Sequence, residues 1–154
     1  MIFPRAALVA LMLATAAGAP AGAQEAPRFQ PEARLDGFTA DPWAVHAGLG
    51  ATAPLGTYVR FGIVGGLGTD AERVSGRADL IARFTLDPFR ERRWAPYAVG
   101  GVSSRFGGGS RNALVLLAGL EGPPRRGVAT ALELGFGGGF RAAVILRRAF
   151  PRRR

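Results

Sequence analysis

The chain has 154 residues, a formal net charge of +9 from 20 basic and 11 acidic side chains, and no cysteine. Every basic residue is arginine, and His46 is the only histidine. These absences remove disulfide frameworks, thiolate metal sites and cysteine nucleophiles, Walker A loops and Schiff-base amines, and multi-histidine metal centres.

Residues 1–23 read as a secretory signal peptide. Arg5 supplies the basic start, Ala6 to Ala17 is an apolar run, and Ala21-Gly22-Ala23 places small residues at the cleavage site. The run is shorter than the roughly 20 residues a membrane-crossing helix needs, and no later stretch reaches that length. A mature chain that spans a membrane must therefore do so as strands of a closed barrel.

Residues 24–41 form a polar lead-in with Pro27 and Pro31. If it holds a strand, the apolar candidates are Phe29, Leu35 and Phe38. From residue 42 to 150 the dominant signal is alternation, the period of a strand with two unlike faces. Trp43, Val45, Ala47, Leu49 and Ala51 share one face, opposite Ala44, His46, Gly48, Gly50 and Thr52. After a turn at Pro54-Leu55-Gly56, Val59, Phe61 and Ile63 alternate with Tyr58, Arg60 and Gly62. Gly65 to Arg73 reads as a polar connection, so the glycines of Gly65-Gly66-Leu67-Gly68 are assigned to turn chemistry. Ala78, Leu80, Ala82, Phe84 and Leu86 then oppose Arg77, Asp79, Ile81, Arg83 and Thr85. A charged break at Asp87 to Arg93 leads to a strand over Trp94 to Ser104, and Gly107 to Ser110 to an apolar run over Asn112 to Leu120. Val128, Thr130, Leu132, Leu134 and Phe136 oppose Ala129, Ala131, Glu133 and Gly135. A hairpin at Gly137-Gly138-Gly139 follows. Phe140, Ala142, Val144 and Leu146 close the pattern against Arg141, Ala143, Ile145 and Arg147, before a basic tail at residues 151–154.

Seven strands are visible, joined by links too short for crossover helices, which makes neighbours antiparallel. A sheet of this size escapes exposed edges by closing on itself. The expected fold is all-β, an up-and-down antiparallel meander closed into a small barrel of about eight strands. Alternation alone leaves open which face points outward. Strands of 10 to 13 residues suit a membrane, where about 9 to 11 are needed, and in-strand glycines suit a narrow lumen. Trp43, Tyr58, Trp94, Tyr97 and Phe150 are candidates for interfacial aromatic girdles.

With these features the chain resembles the small outer-membrane β-barrel proteins of bacteria with two membranes. The resemblance spans Trp43 to Phe150 and the signal peptide. It rests also on the ending Phe140-x-Ala142-x-Val144-x-Leu146-x-Arg148-x-Phe150, which looks like the final strand that barrel-assembly machinery recognises. Arg148 and the trailing Pro-Arg-Arg-Arg depart from that pattern. The resemblance implies an outer-membrane location, with membrane lipids and lipopolysaccharide as partners and a structural or surface-interaction role.

In that orientation Arg60, Arg77, Asp79, Arg83, Glu133, Arg141 and Arg147 face the lumen as a polar network, its arginines outnumbering its acids. No catalytic, cofactor-binding or metal-binding residue is expected, and no nucleic-acid partner. His46 has no acid or serine at motif spacing, and Ser103, Ser104 and Ser110 lack a nucleophile-elbow context. Two other readings stay open: a soluble, exported, lipocalin-like barrel that buries the apolar face around a ligand, and a lipid-acting barrel enzyme using His46.

Overall fold

Runs of nine to thirteen alternating residues, punctuated by glycine and proline, build eight strands in the computed structural model. It describes residues 29–39, 43–70, 73–86, 94–107 and 111–149. The signal peptide, Phe150 and the basic tail lie outside the described residues, as does the whole charged break from 87 to 93. The strands are β1 (Gln30–Thr39), β2 (Ala44–Pro54), β3 (Val59–Asp70), β4 (Arg73–Thr85), β5 (Ala95–Phe106), β6 (Arg111–Glu121), β7 (Val128–Gly137) and β8 (Phe140–Arg148). Each pairs antiparallel with the next, and β1 pairs with β8 to close the ring.

The eighth strand is β1, inside the lead-in. Pro31 does not break it, because the β1–β8 ladder begins only at Glu32 and proline is tolerated at a strand's start. Leu35 faces outward, as an apolar candidate should, whereas Phe38 turns inward and is 3% exposed.

The expected polar connection from Gly65 to Arg73 is corrected as well. β3 runs on to Asp70, and its glycines are strand residues rather than turn residues. Gly68 lies against β2, where an added β-carbon would overlap the Val45 carbonyl and crowd His46. Glycine is needed there for close approach, and it erases the alternation that marks a strand in sequence.

The register fixes the barrel's shape. From Thr39, successive ladder partners run through Phe140, Phe136, Leu116, Gly100, Ala82, Phe61 and Ala53. Ala53 stands opposite Phe29, one step beyond the Gln30–Thr52 pair, so one circuit slips about ten residues along β1. Eight strands with that stagger tilt by about 40°. Ten residues at ~3.3 Å each then rise roughly 25 Å along the barrel axis, the height of a membrane barrel's apolar band.

At one end lie Gln30, Arg148 and the β2–β3, β4–β5 and β6–β7 connections; the other four connections lie opposite. Within the β6–β7 connection, Arg125 and Val128 exchange backbone hydrogen bonds of 2.8 and 3.0 Å around Arg126 and Gly127. Both central residues have positive φ, 50° and 80°, which makes this a type I′ turn. Arginine in that left-handed position costs on the order of 1 kcal/mol more than glycine.

The lumen is filled by side chains. An apolar cluster of Val64, Ile81, Tyr97, Val99, Val115, Leu117, Ala131, Ala143 and Ile145 lines part of the wall. Tyr97, expected in a girdle, is buried here at 3% exposure, because it shares the inward face of β5 with Val99. Its ring lies over Gly119 so closely that a β-carbon would overlap it. Gly119→Ala should therefore lower unfolding free energy by about 1–3 kcal/mol, the usual cost of overpacking. Gly100→Ala, with nothing within 4 Å of the new carbon, should stay within about 0.5 kcal/mol of wild type. Urea unfolding of the two variants in detergent or vesicles measures the contrast.

Candidate functional site

All seven residues expected in the lumen face it. Arg77, Asp79, Arg83, Glu133, Arg141 and Arg147 are buried, and Arg60 is half-buried near the end that carries Gln30. There Arg60 donates through Nε to Thr52 Oγ1 at 3.1 Å and through Nη2 to the Thr52 carbonyl at 3.3 Å. The other six join a network that the sequence reading left incomplete, because its centre stands on β1.

Glu32, Arg34 and Asp36 occupy alternate positions of β1, so all three enter the lumen. The Arg34 guanidinium donates to Asp36, to Glu32 Oε1 at 3.3 Å, and to Glu133 Oε2 at 2.7 Å. Asp36 also accepts from Arg77 Nη2 at 2.6 Å and Arg141 Nε at 2.9 Å. Arg141 Nη2 continues to Asp79 at 2.8 Å. Glu133 further accepts from Tyr97 Oη at 2.8 Å and Arg147 Nη2 at 2.9 Å. Arg147 reaches Glu32 and Glu121, both at 2.8 Å, and Arg83 meets Glu121 and Gln30 at 3.1 and 3.0 Å. The expected surplus of arginine is thus met mainly by Glu32, Asp36 and Glu121.

Two aromatic rings organise the guanidinium groups into storeys. Arg105, Arg141 and Arg77 lie 3.9, 5.1 and 5.2 Å from the Phe38 ring centroid. Arg147 and Arg83 lie 5.0 and 5.5 Å from that of Tyr97. Arg34 ties the storeys together by bonding both Asp36 and Glu133. Stacking on a ring face favours a desolvated guanidinium, so each ring adds attraction where carboxylates alone would not surround the cation.

The structure also joins His46 to a partner that sequence spacing missed. Ser75 Oγ lies 2.9 Å from His46 Nε2; a clue was that Ser75 shares the inward face of β4 with Arg77 and Asp79. Both residues are buried, at 0% and 2% exposure, and His46 Nδ1 has no hydrogen-bond partner among the described residues. A serine–histidine pair that works as nucleophile and base has the histidine oriented by a third group at that nitrogen. The Phe38 and His46 rings pack edge to face, their centroids 5.6 Å apart.

The outer face is the chemical opposite of the lumen. Of the residues that a lipocalin-like barrel would bury, Phe61, Ile63, Leu80, Phe84, Leu132 and Val144 are 45–65% exposed, and Val59 is half-buried. That alternative is overturned, since the interior that would hold an apolar ligand is packed with ion pairs. Trp43, Tyr58 and Trp94 stand exposed near strand ends as girdle residues should, with Tyr58 stacked on Phe84 at 6.2 Å.

Architecture and polarity together define an eight-stranded up-and-down barrel that is apolar outside and charged within, the fold of small outer-membrane barrels. The chain is similar in structure to the N-terminal β-barrel domain of Pseudomonas aeruginosa OprF, with a TM-score of 0.55 at 15% sequence identity. The match covers 79% of this chain and 96% of that one. No family model matches the sequence, and no curated protein matches it.

Removing one member of the network leaves a buried charge unpaired, which costs about 3–5 kcal/mol. Glu133→Gln should destabilise the barrel by that amount. Glu121→Gln, whose side chain is 27% exposed near the lumen's end, should cost less, because water reaches that position and the amide still accepts hydrogen bonds from Arg83 and Arg147. Chemical unfolding of the folded protein in vesicles tests the ranking.

Proposed function

We propose that this protein is an integral outer-membrane β-barrel whose role is structural and non-catalytic. One observation carries the reading: the strands alternate between an apolar outer face and an inner face, and the buried charges among the described residues all lie on the inner one. In water the arrangement would be unfavourable, because it exposes a belt of Leu, Phe, Ile and Val. In a bilayer the same belt is solvated by acyl chains, while the charges pair inside the bore. The ion-pair lattice and the apolar wall fill the bore, which supports a membrane-embedded solid body over an open pore. Connections of two to four residues at the end opposite Gln30 and Arg148 leave little surface for grasping a large partner, favouring a structural role over surface adhesion. Export by the N-terminal signal and insertion by barrel-assembly machinery complete this reading.

Leu80 lies near the middle of β4, outward and 51% exposed. Leu80→Arg should destabilise the lipid-embedded barrel by about 2–4 kcal/mol, the cost of arginine at the bilayer midplane. A barrel whose outer face met water would lose almost nothing. Fractionation of a native host should place the wild-type protein in the outer membrane, resistant to carbonate, with mobility that changes on boiling. Recovery as a soluble periplasmic protein would overturn the proposal.

A further inference from the structure

Among the described residues, the end of the barrel that carries Gln30 is basic: Arg125 and Arg126 stand in the β6–β7 connection and Arg148 ends β8 beside them. At the basic end a depression of about 530 Å³ lies between the β6–β7 turn and the end of β8. It is lined by apolar Val128 and Leu146, which belong to the outer face at 43% and 51% exposure, and by the arginines Arg126 and Arg148. A hydrogen bond of 2.8 Å from the Ala149 amide to the Gly127 carbonyl fixes the turn against β8.

Arg126 holds a position where the turn geometry favours asparagine or glycine. A residue kept in an unfavourable backbone conformation points to a use for its side chain. The surroundings identify that use. A guanidinium group matches phosphate oxygens in charge and in forked geometry, and an apolar strip directly beside it matches an acyl chain.

We propose that this depression binds an anionic lipid, the phosphate at Arg126 and Arg148 and an acyl chain along Val128 and Leu146. The inference rests on the membrane reading above. A glycerophospholipid and lipid A both offer the same phosphate chemistry, and the experiment separates them.

The full-length protein would be refolded into phosphatidylcholine nanodiscs containing either phosphatidylglycerol or lipid A, and retained lipids counted by native mass spectrometry. Wild type should retain anionic lipid over phosphatidylcholine. Arg126→Asn should reduce that preference roughly fivefold, the worth of one arginine near an anionic surface, while thermal stability stays level or rises because asparagine suits the turn. Arg111→Asn, exposed at the opposite end, should change nothing. Preference for phosphatidylglycerol assigns the site to a glycerophospholipid leaflet; preference for lipid A assigns it to lipopolysaccharide. Equal retention by wild type and Arg126→Asn, or no anionic preference in an inserted, heat-modifiable wild type, would overturn this site alone. A wild type that never inserts would sink the membrane reading with it.

Discussion

A closed ring of eight strands encloses a bore that side chains alone can fill, and in this chain they fill it with opposed charges. Arg34 is the residue on which that solution depends. It bonds three carboxylates at once, on β1 itself and on β7, and so connects the Phe38 storey to the Tyr97 storey. Burying ions is unfavourable unless geometry and hydrogen bonding are both good. Arginine meets that demand because its fork satisfies two or three acceptors while its plane lies over a ring. Lysine, which this chain lacks altogether, would present a more strongly hydrated point charge and satisfy fewer of these contacts in a plane.

The inward and outward faces solve one problem together. Hydrogen bonding around a closed ring satisfies the backbone within the strands, the condition for crossing a hydrocarbon layer. The outer side chains then need only be apolar, and the inner ones need only neutralise one another. Lumen glycines reconcile the large arginines and Tyr97 with the narrow bore: Gly119 receives the Tyr97 ring, and Gly66 and Gly137 lie against the Arg77 and Arg141 side chains. Composition that looks like looseness in the sequence serves as packing space in the fold.

Much of this arrangement is legible in the sequence. Alternation in β2, β4, β7 and β8 assigns faces correctly at nearly every position, because β4, β7 and β8 carry arginine or glutamate on one side and aliphatic residues on the other, and β2 sets His46 and Thr52 against Val45 and Leu49. β1 is legible only as a candidate segment, since Glu32, Arg34 and Asp36 lie in a polar lead-in interrupted by Pro27 and Pro31. Their meaning depends on β8 and β7 reaching them across the ring. The far half of β3 was misread for the reverse reason, glycine leaving no contrast between faces. Tyr97 was assigned to the membrane boundary because its distance from a strand end was visible but its inward aim was not. His46 and Ser75 sit 29 residues apart, and no local pattern could pair them.

The seam between β1 and β8 joins the two ends of the chain's strand order. Glu32 meets Arg147 across a sequence separation of 115 residues, and Asp36 meets Arg141 across 105. Contacts this remote have a large entropic barrier to overcome before they contribute. The final strand supplies Arg141 and Arg147 to carboxylates on strands that precede it in the chain, so the interior is fully neutralised only once the ring closes. Until then the sheet's charged face needs water, which couples closure of the ring to drying of the bore.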